Sequence, residues 1–232
     1  MEKPQTIFKR RLVTHKFYFM AAIADIRKEY MQEILMEKDA DPHPIRQFDK
    51  WWQQAIDSKI DEVNAMTLAT VKSGGIPSAR IVLLKGYDDN GFVFFTNYES
   101  DKGNEMALNP NVSLVFFWKE LERQVRIEGK AVKISNEQSD EYFNSRPMES
   151  RIGAWASTQS KVIASREELK KNIVHTIERF QHEEMYRPPH WGGYVVEPQS
   201  IEFWQGRPGR LHDRILYTRI AAHHWKQERL SP

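Results

Sequence analysis

Two stretches of this chain place cations where a folded core has little use for them. The first is 80–85, in which Arg80 and Lys85 bracket the apolar run Ile81, Val82, Leu83, Leu84. An unpaired charge on a buried strand is costly, so it shifts its pKa or finds an anion. The two cations stand an odd number of positions apart, so a regular strand points them to opposite faces unless a bulge intervenes. One face would then serve a core and the other a partner subunit or a ligand. The plain alternative is a pair of edge cations on an ordinary strand. The second stretch is 201–214, where Arg210, His212 and Arg214 occupy alternate positions and share one side if the chain is extended. Trp204 precedes a loop of Gly and Pro at 206–209, which lets backbone approach a ligand. A guanidinium that stacks and donates in a fixed fork, beside an imidazole, suits a planar, anionic or hydroxylated molecule. The competing reading is a surface loop in which Asp213 pairs with a neighbouring arginine. Lys102 is a third cation of interest, because it falls in the first turn of a short helix expected over 101–108 and capped by Ser100. Helix starts favour negative charge, so an anion on the free amides would make a site of this misfit, and a solvated lysine is the alternative.

The elements that must position these residues are mostly strands. Apolar and β-branched residues fill 66–71, 79–87 and 92–96, separated by Ser73-Gly74-Gly75 and by Asp88-Asp89-Asn90-Gly91, so residues 66–97 read as an antiparallel meander with the Arg80 strand in its middle. Further strands are expected at 112–118, 124–134, 192–197, 200–205, 214–219 and 224–230, with Gly129 at a bulge or turn. Helical spacing predicts an amphipathic helix over 22–36, with Arg27 and Tyr30 on one face. A second helix starts at Pro44 and carries Phe48, Trp52 and Ile56 inward. Ser135…Gln138 and Ser165…Glu168 are capping boxes that open two more helices. On the first of these, Tyr142 and Arg146 are four apart and share a face, with Ser150 just beyond. Strands outnumber what a helical bundle uses and do not alternate with helices as a parallel sheet requires, so the expected fold is a small antiparallel barrel decorated by helices.

Composition narrows the function classes. At 232 residues the chain can bury a full core, and one domain over 20–232 is expected, with 1–19 an extension and Met20 a plausible start. The 34 basic and 32 acidic residues leave a net charge of +2, too balanced to call for nucleic acid or an anionic membrane. With no cysteine, disulfides, thiolate metal sites and thiol nucleophiles are excluded, and a reducing, cytoplasmic setting is compatible. Lys9-Arg10-Arg11 followed by an apolar run at 17–24 imitates a secretory signal, but the run is too short, and no stretch reaches membrane-spanning length. HExxH, P-loop, GxSxG and strand-borne GxGxxG patterns do not occur, so zinc-hydrolytic, NTP and Rossmann readings have no support.

Taken together, RIVLLK (80–85), FFTN (94–97), LERQVRIEG (121–129), YFNSRP (142–147), SRIGAW (150–155), WGGY (191–194) and IEFWQG with RLHDR (201–214) resemble the pyridoxine/pyridoxamine 5'-phosphate oxidase family, in its order, from about Ile26 to the C-terminus. The resemblance implies an α+β, mainly β, FMN-binding split barrel flanked by helices and working as a homodimer with two flavins at the subunit interface. By position, FMN would be contacted by Arg80, Ile81, Val82, Leu83, Lys85, Phe95, Thr96, Lys102, Gln124, Gln159, Ser160, Trp204 and Arg214. The substrate, pyridoxine 5'-phosphate or pyridoxamine 5'-phosphate, would have its phosphate held by Lys85, Tyr142, Arg146 and Ser150. Arg210 and His212 would cover its ring as the catalytic pair, with Arg27 and Tyr30 closing the site. The implied reaction moves hydride from C4' to flavin N5, with O2 as the acceptor giving H2O2. A non-catalytic carrier of FMN or pyridoxal phosphate is the alternative. Two positions depart from the family pattern: Asp101 stands where an arginine is common beside the flavin-phosphate lysine, and Arg151 where a glutamine is usual.

Overall fold

The computed structural model describes residues 30, 31 and 33–232. The expected extension at 1–19 and Arg27 lie outside the described residues, as does most of the helix expected over 22–36. The part of that helix which is described, Tyr30, Met31 and 33–36, carries no helix. This segment runs as a strap whose backbone is held by side chains far along the chain. Met31 N–H donates to Glu122 (2.9 Å), Leu35 N–H to Asp213 (3.2 Å), and the carbonyl of Leu35 accepts from Arg229 (2.9 Å).

Helix α1 (Pro44–Asp57) opens on proline, whose fixed φ suits a first turn. It buries Phe48, Trp51 and Ala55, while Ile56 is 42% exposed, so the expected inward face of Phe48, Trp52 and Ile56 is rotated. Packing decides this: Phe48 sits among Phe92, Phe116 and Trp118, and Trp51 meets Phe203 edge-on while the Arg123 guanidinium lies 4.5 Å from its ring centre.

The expected meander is two hairpins. Strand β1 (Ala65–Val71) pairs with β2 (Pro77–Leu83), and β3 (Gly86–Asp88) pairs with β4 (Gly91–Asn97). The run expected as one strand over 79–87 breaks at Leu84 and Lys85, where Leu84 N–H donates to Asn64 and Lys85 N–H to Val93 (both 2.8 Å). Strands β5 (Asn111–Trp118), β6 (Arg123–Lys133), β7 (Trp191–Gln205), β8 (Asp213–Ala221) and β9 (His224–Arg229) complete one nine-stranded antiparallel sheet. Its order is β2-β1-β5-β6-β7-β4-β3, with β8 also on β7 and β9 on β8. The two segments expected at 192–197 and 200–205 are a single strand. Its first half pairs with β4 and its second half with β8, and its register against β6 shifts between Glu128 and Gly129, the bulge that the glycine announced. The Arg80 strand is therefore an edge strand, not a central one.

Period-two alternation splits the sheet into two faces. Met66, Leu68, Leu114, Phe116, Val125, Ile127, Phe203 and Tyr217 are buried in one core cluster with Phe48, Trp51 and Ala55 of α1. The other face carries Ile81, 64% exposed, and Phe117, 55% exposed. Helices α2 (Asp101–Leu108), α3 (Asn136–Ser145), α4 (Met148–Ala156) and α5 (Arg166–Arg179) lie outside the sheet. The Ser100 and Ser135 caps form as expected, the latter as a reciprocal box with Gln138. At α5 the Ser165 hydroxyl accepts from Glu168 N–H, but the Glu168 carboxylate reaches Ala164 instead of closing the box.

Candidate active site

A cavity of about 650 Å³ opens between the edge of β2, the end of β4 and helices α2, α3 and α4. Ile81, Val82, Leu83 and Lys85 form one wall, Phe95, Thr96 and Asn97 a second, and Lys102 and Gln159 close one end. Tyr142, Arg146, Pro147, Ser150, Gly153, Ala154, Ser157 and Trp191 make the rest. Because β2 pairs on one side with β1, its other edge presents free backbone donors and acceptors to this space.

The cavity is cationic at both ends. At one, Lys102 donates to Gln159 Oε1 (3.3 Å), which also accepts from Thr96 (3.4 Å). Burial, and then the nearby Arg80 charge, push the Lys102 ammonium below its usual range, with Asp101 and Glu105 opposing. At the other end, burial pushes the Arg146 guanidinium down, with Tyr142 opposing. Its shielded Nη1 has no hydrogen-bond partner among the described residues. Buried guanidinium nitrogens are normally satisfied, so these ends suit anionic oxygens.

Arg80 is not part of the cavity wall. Its register partner is the fully buried Leu68, which puts it on the core side of β2, and its guanidinium is taken up by the protein. Arg80 Nη2 donates to Glu105 (2.9 Å) and Ser78 Oγ (2.7 Å), and Nη1 to Thr70 and to the Ser78 carbonyl (3.3 Å). Glu105 is 6% exposed; burial pushes its carboxyl up, but the hydrogen bonds from Thr70 and Arg80 outweigh this and hold it below the usual range. Arg80 and Lys85 thus separate, but by the break in the chain after Leu83 and not by the parity of one continuous strand. Ser160 lies in an exposed turn with φ 71° and is not in the wall either.

A second group gathers elsewhere on the protomer. Gln124, Trp204 and Arg214 are register partners across β6, β7 and β8, so they form one row on the exposed sheet face. Arg214 Nε donates to Glu202 (2.8 Å), whose other oxygen accepts from Arg126 (3.1 Å), and the Glu202 bond pushes Arg214 above its usual value. The condition for Arg210, His212 and Arg214 to share one side, an extended chain, is not met: a 3₁₀ turn covers Pro208–Arg210, with Gly209 and Arg210 both left-handed (φ 64° and 63°), and β8 begins only at Asp213. His212 Nδ1 accepts from Arg207 N–H (3.1 Å), which leaves Nε2 as the donor of the neutral ring. Burial, then Arg210, hold this imidazole below the usual histidine range, against Asp213. Tyr30 meets both Trp204 (5.8 Å) and His212 (5.9 Å) edge-on. A Cβ on Gly206 would lie 2.7 Å from the Tyr30 ring, so that glycine makes room for the strap and not, as expected, for a ligand.

Sequence reading missed several residues of this region. Asn97, Pro147, Gly153, Ala154, Ser157 and Trp191 line the cavity, and Glu105 and Glu202 hold arginines. The small pair Gly153-Ala154 inside an otherwise large-residue helix was the available signal. No ion pair joins Asp101 to Arg151 among the described residues, and the shielded Arg151 Nε lacks a partner.

Two family models cover most of the described chain: "Pyridoxamine 5'-phosphate oxidase" matches residues 52–179, and "Pyridoxine 5'-phosphate oxidase C-terminal dimerisation region" matches 191–232. A protein of Paraburkholderia phytofirmans named pyridoxine/pyridoxamine 5'-phosphate oxidase is 59% identical over 92% of this chain and 100% of its own length. The chain belongs to the pyridoxamine 5'-phosphate oxidase family. Among solved structures, family resemblance extends to PhzG from Burkholderia lata, crystallised with tetrahydrophenazine-1-carboxylic acid (30% identity, TM-score 0.80, 87% of this chain and 99% of that one). A pyridoxamine 5'-phosphate oxidase-related FMN binding protein from Nostoc punctiforme shares the fold (16% identity, TM-score 0.65, 82% and 98% covered). The curled antiparallel sheet is the split barrel of this family.

Proposed function

We propose that the chain is an FMN-dependent oxidase that converts pyridoxine 5'-phosphate or pyridoxamine 5'-phosphate to pyridoxal 5'-phosphate. The observation that carries this is the cavity lined by three cations, Lys102, Lys85 and Arg146, beside the outer edge of β2. Two phosphorylated aromatic molecules stacked face to face need two anion sites and a slot between them, and the residues present fit both.

FMN would be held by the free edge of β2 at 81–83, by Lys85, by Phe95 and Thr96, and by Lys102 and Gln159 at its phosphate. When bound, it supplies the redox chemistry, accepting hydride from the substrate C4' and passing electrons to O2. The protein's own task is positioning. Lys85, Arg146, Tyr142 and Ser150 hold the substrate phosphate, each charge-assisted bond contributing about 1.5–3 kcal/mol. His212 donates from Nε2 to a substrate oxygen, and Arg210, already in a constrained backbone conformation, lies over the pyridine ring with Tyr30 and Trp204 excluding water.

Within one protomer Arg210, His212, Trp204, Gln124 and Arg214 share no wall with the cavity. A second copy supplies them, so the working unit is a homodimer with two composite sites. An aerobic assay on the FMN-reconstituted protein, following peroxide with each phosphorylated vitamer, tests the reading. Stoichiometric FMN without peroxide from either vitamer would favour the carrier alternative.

A further inference from the structure

We infer that Trp191 is the positioning residue for the phosphate end of the site: its indole is the shelf that holds Arg146 while leaving the arginine's hydrogen-bonding edge free. This rests on the phosphate-binding role proposed above for Arg146. A guanidinium can be fixed by a carboxylate, but a carboxylate occupies its donors and cancels its charge. Arg80 and Arg214 are held that way, by Glu105 and Glu202. Arg146 is not. Its guanidinium carbon lies 4.5 Å from the Trp191 ring centre and 5.9 Å from that of Phe143, and no salt bridge involves it among the described residues. An aromatic face fixes the plane of the cation electrostatically and leaves the in-plane N–H groups for an anion, and tryptophan is the strongest such face.

The shelf is itself built rigidly. Trp191 is 7% exposed. Phe95 stacks against it (5.4 Å, 14°), and Tyr142, a further phosphate-site residue, stacks on Phe95 at 3.9 Å, the three rings lying nearly parallel. A Cβ on Gly193, two positions on, would lie 2.4 Å from Ile134 and 2.9 Å from the Phe95 ring, so this glycine leaves room for Phe95 beside the strand. The Trp191 carbonyl accepts from Arg187 Nη1 (2.6 Å), and Arg187 is fastened to Asp140 (2.6 Å) and Asn136 (3.0 Å) of α3, the helix that carries Tyr142 and ends at Arg146. One anchored indole thereby sets the positions of a phosphate-binding arginine, a phosphate-binding tyrosine and a wall of the flavin slot.

The test uses FMN-loaded protein and two ligands that cannot be oxidised at C4', 4-deoxypyridoxine 5'-phosphate and 4-deoxypyridoxine, titrated by calorimetry. Trp191→Leu is expected to weaken the phosphorylated ligand about tenfold and the unphosphorylated one less than about twofold, with Trp191→Phe between wild type and Leu. In turnover per bound flavin, KM for pyridoxine 5'-phosphate should rise by a larger factor than kcat falls. Equal weakening of both ligands, no weakening, or a Phe variant as impaired as Leu overturns the inference. If the Leu variant does not fold, Phe alone decides: about two- to fivefold selective weakening supports the shelf, and an unchanged value overturns it. Wild type that prefers the phosphorylated ligand but releases no peroxide removes the oxidase reading and leaves the shelf standing. Wild type with no such preference removes the shelf whatever the turnover.

Discussion

In the proposed reaction Arg210 and His212 are the residues that contact the substrate ring, and they are held in opposite ways. Arg210 is exposed, in left-handed backbone, and lies outside the cavity of its own protomer. Arg210→Ala is therefore expected to cut kcat/KM by at least about a hundredfold while FMN content, read from the flavin absorbance, stays near one per chain. Loss of flavin with turnover per flavin intact would reverse its role. His212 is fixed through Nδ1 and held below the usual histidine range by burial and then by Arg210. Because its pKa is depressed, the neutral ring predominates above the lowered value and is lost as pH falls through it. The kcat/KM profile should carry an acid limb below the usual histidine range near about 6.5 that disappears in His212→Asn. A limb unchanged in that variant would assign the titration elsewhere.

At the scale of elements, the edge strand β2 and helix α2 form one unit around the Arg80–Glu105 pair. Removing the arginine leaves a buried carboxylate with Thr70 as its remaining side-chain donor. Arg80→Ala should cost about 2 kcal/mol at neutral pH, allowing for partial exposure of the pair. The sign follows from the carboxyl held below its usual range. That stabilisation is present above the unfolded carboxylate pKa and is lost as pH falls through the folded one. The Tm gap between wild type and variant is expected to be widest near pH 7 and to close below about pH 4. A gap that widens in acid would show that Glu105 is not the group left behind. FMN content should fall as well, because β2 carries the cavity edge at Ile81, Val82 and Leu83.

At the scale of the molecule, one protomer holds the proposed site residues in two separate groups, and the proposed dimer would join them across the face of the sheet opposite α1. Ile81 and Phe117 are exposed there, on the same face as the Gln124, Trp204, Arg214 row. Ile81→Asp places a charge on that surface and should yield a monomer by analytical ultracentrifugation that has lost both FMN and activity. A dimer with full flavin occupancy would mean that the copies meet elsewhere.

The sequence by itself determined several local elements and part of the cavity lining. Serine caps at 100 and 135, the proline at 44 and the bulge at Gly129 follow from backbone hydrogen-bonding needs that a few neighbouring residues satisfy. The motifs of the family resemblance named Lys85, Lys102, Tyr142, Arg146 and Ser150, which the fold then gathers around one cavity. Only the tertiary structure decided which face of α1 is buried, that β2 is an edge, and that Arg80 answers to Glu105. It alone made a strap at Tyr30, shaped by the space at Gly206. Those outcomes depend on partners 25 to 178 residues away, as with Arg80 and Glu105 or Leu35 and Asp213. Periodicity reports that a side is apolar or charged, whereas packing against distant strands decides what that side meets.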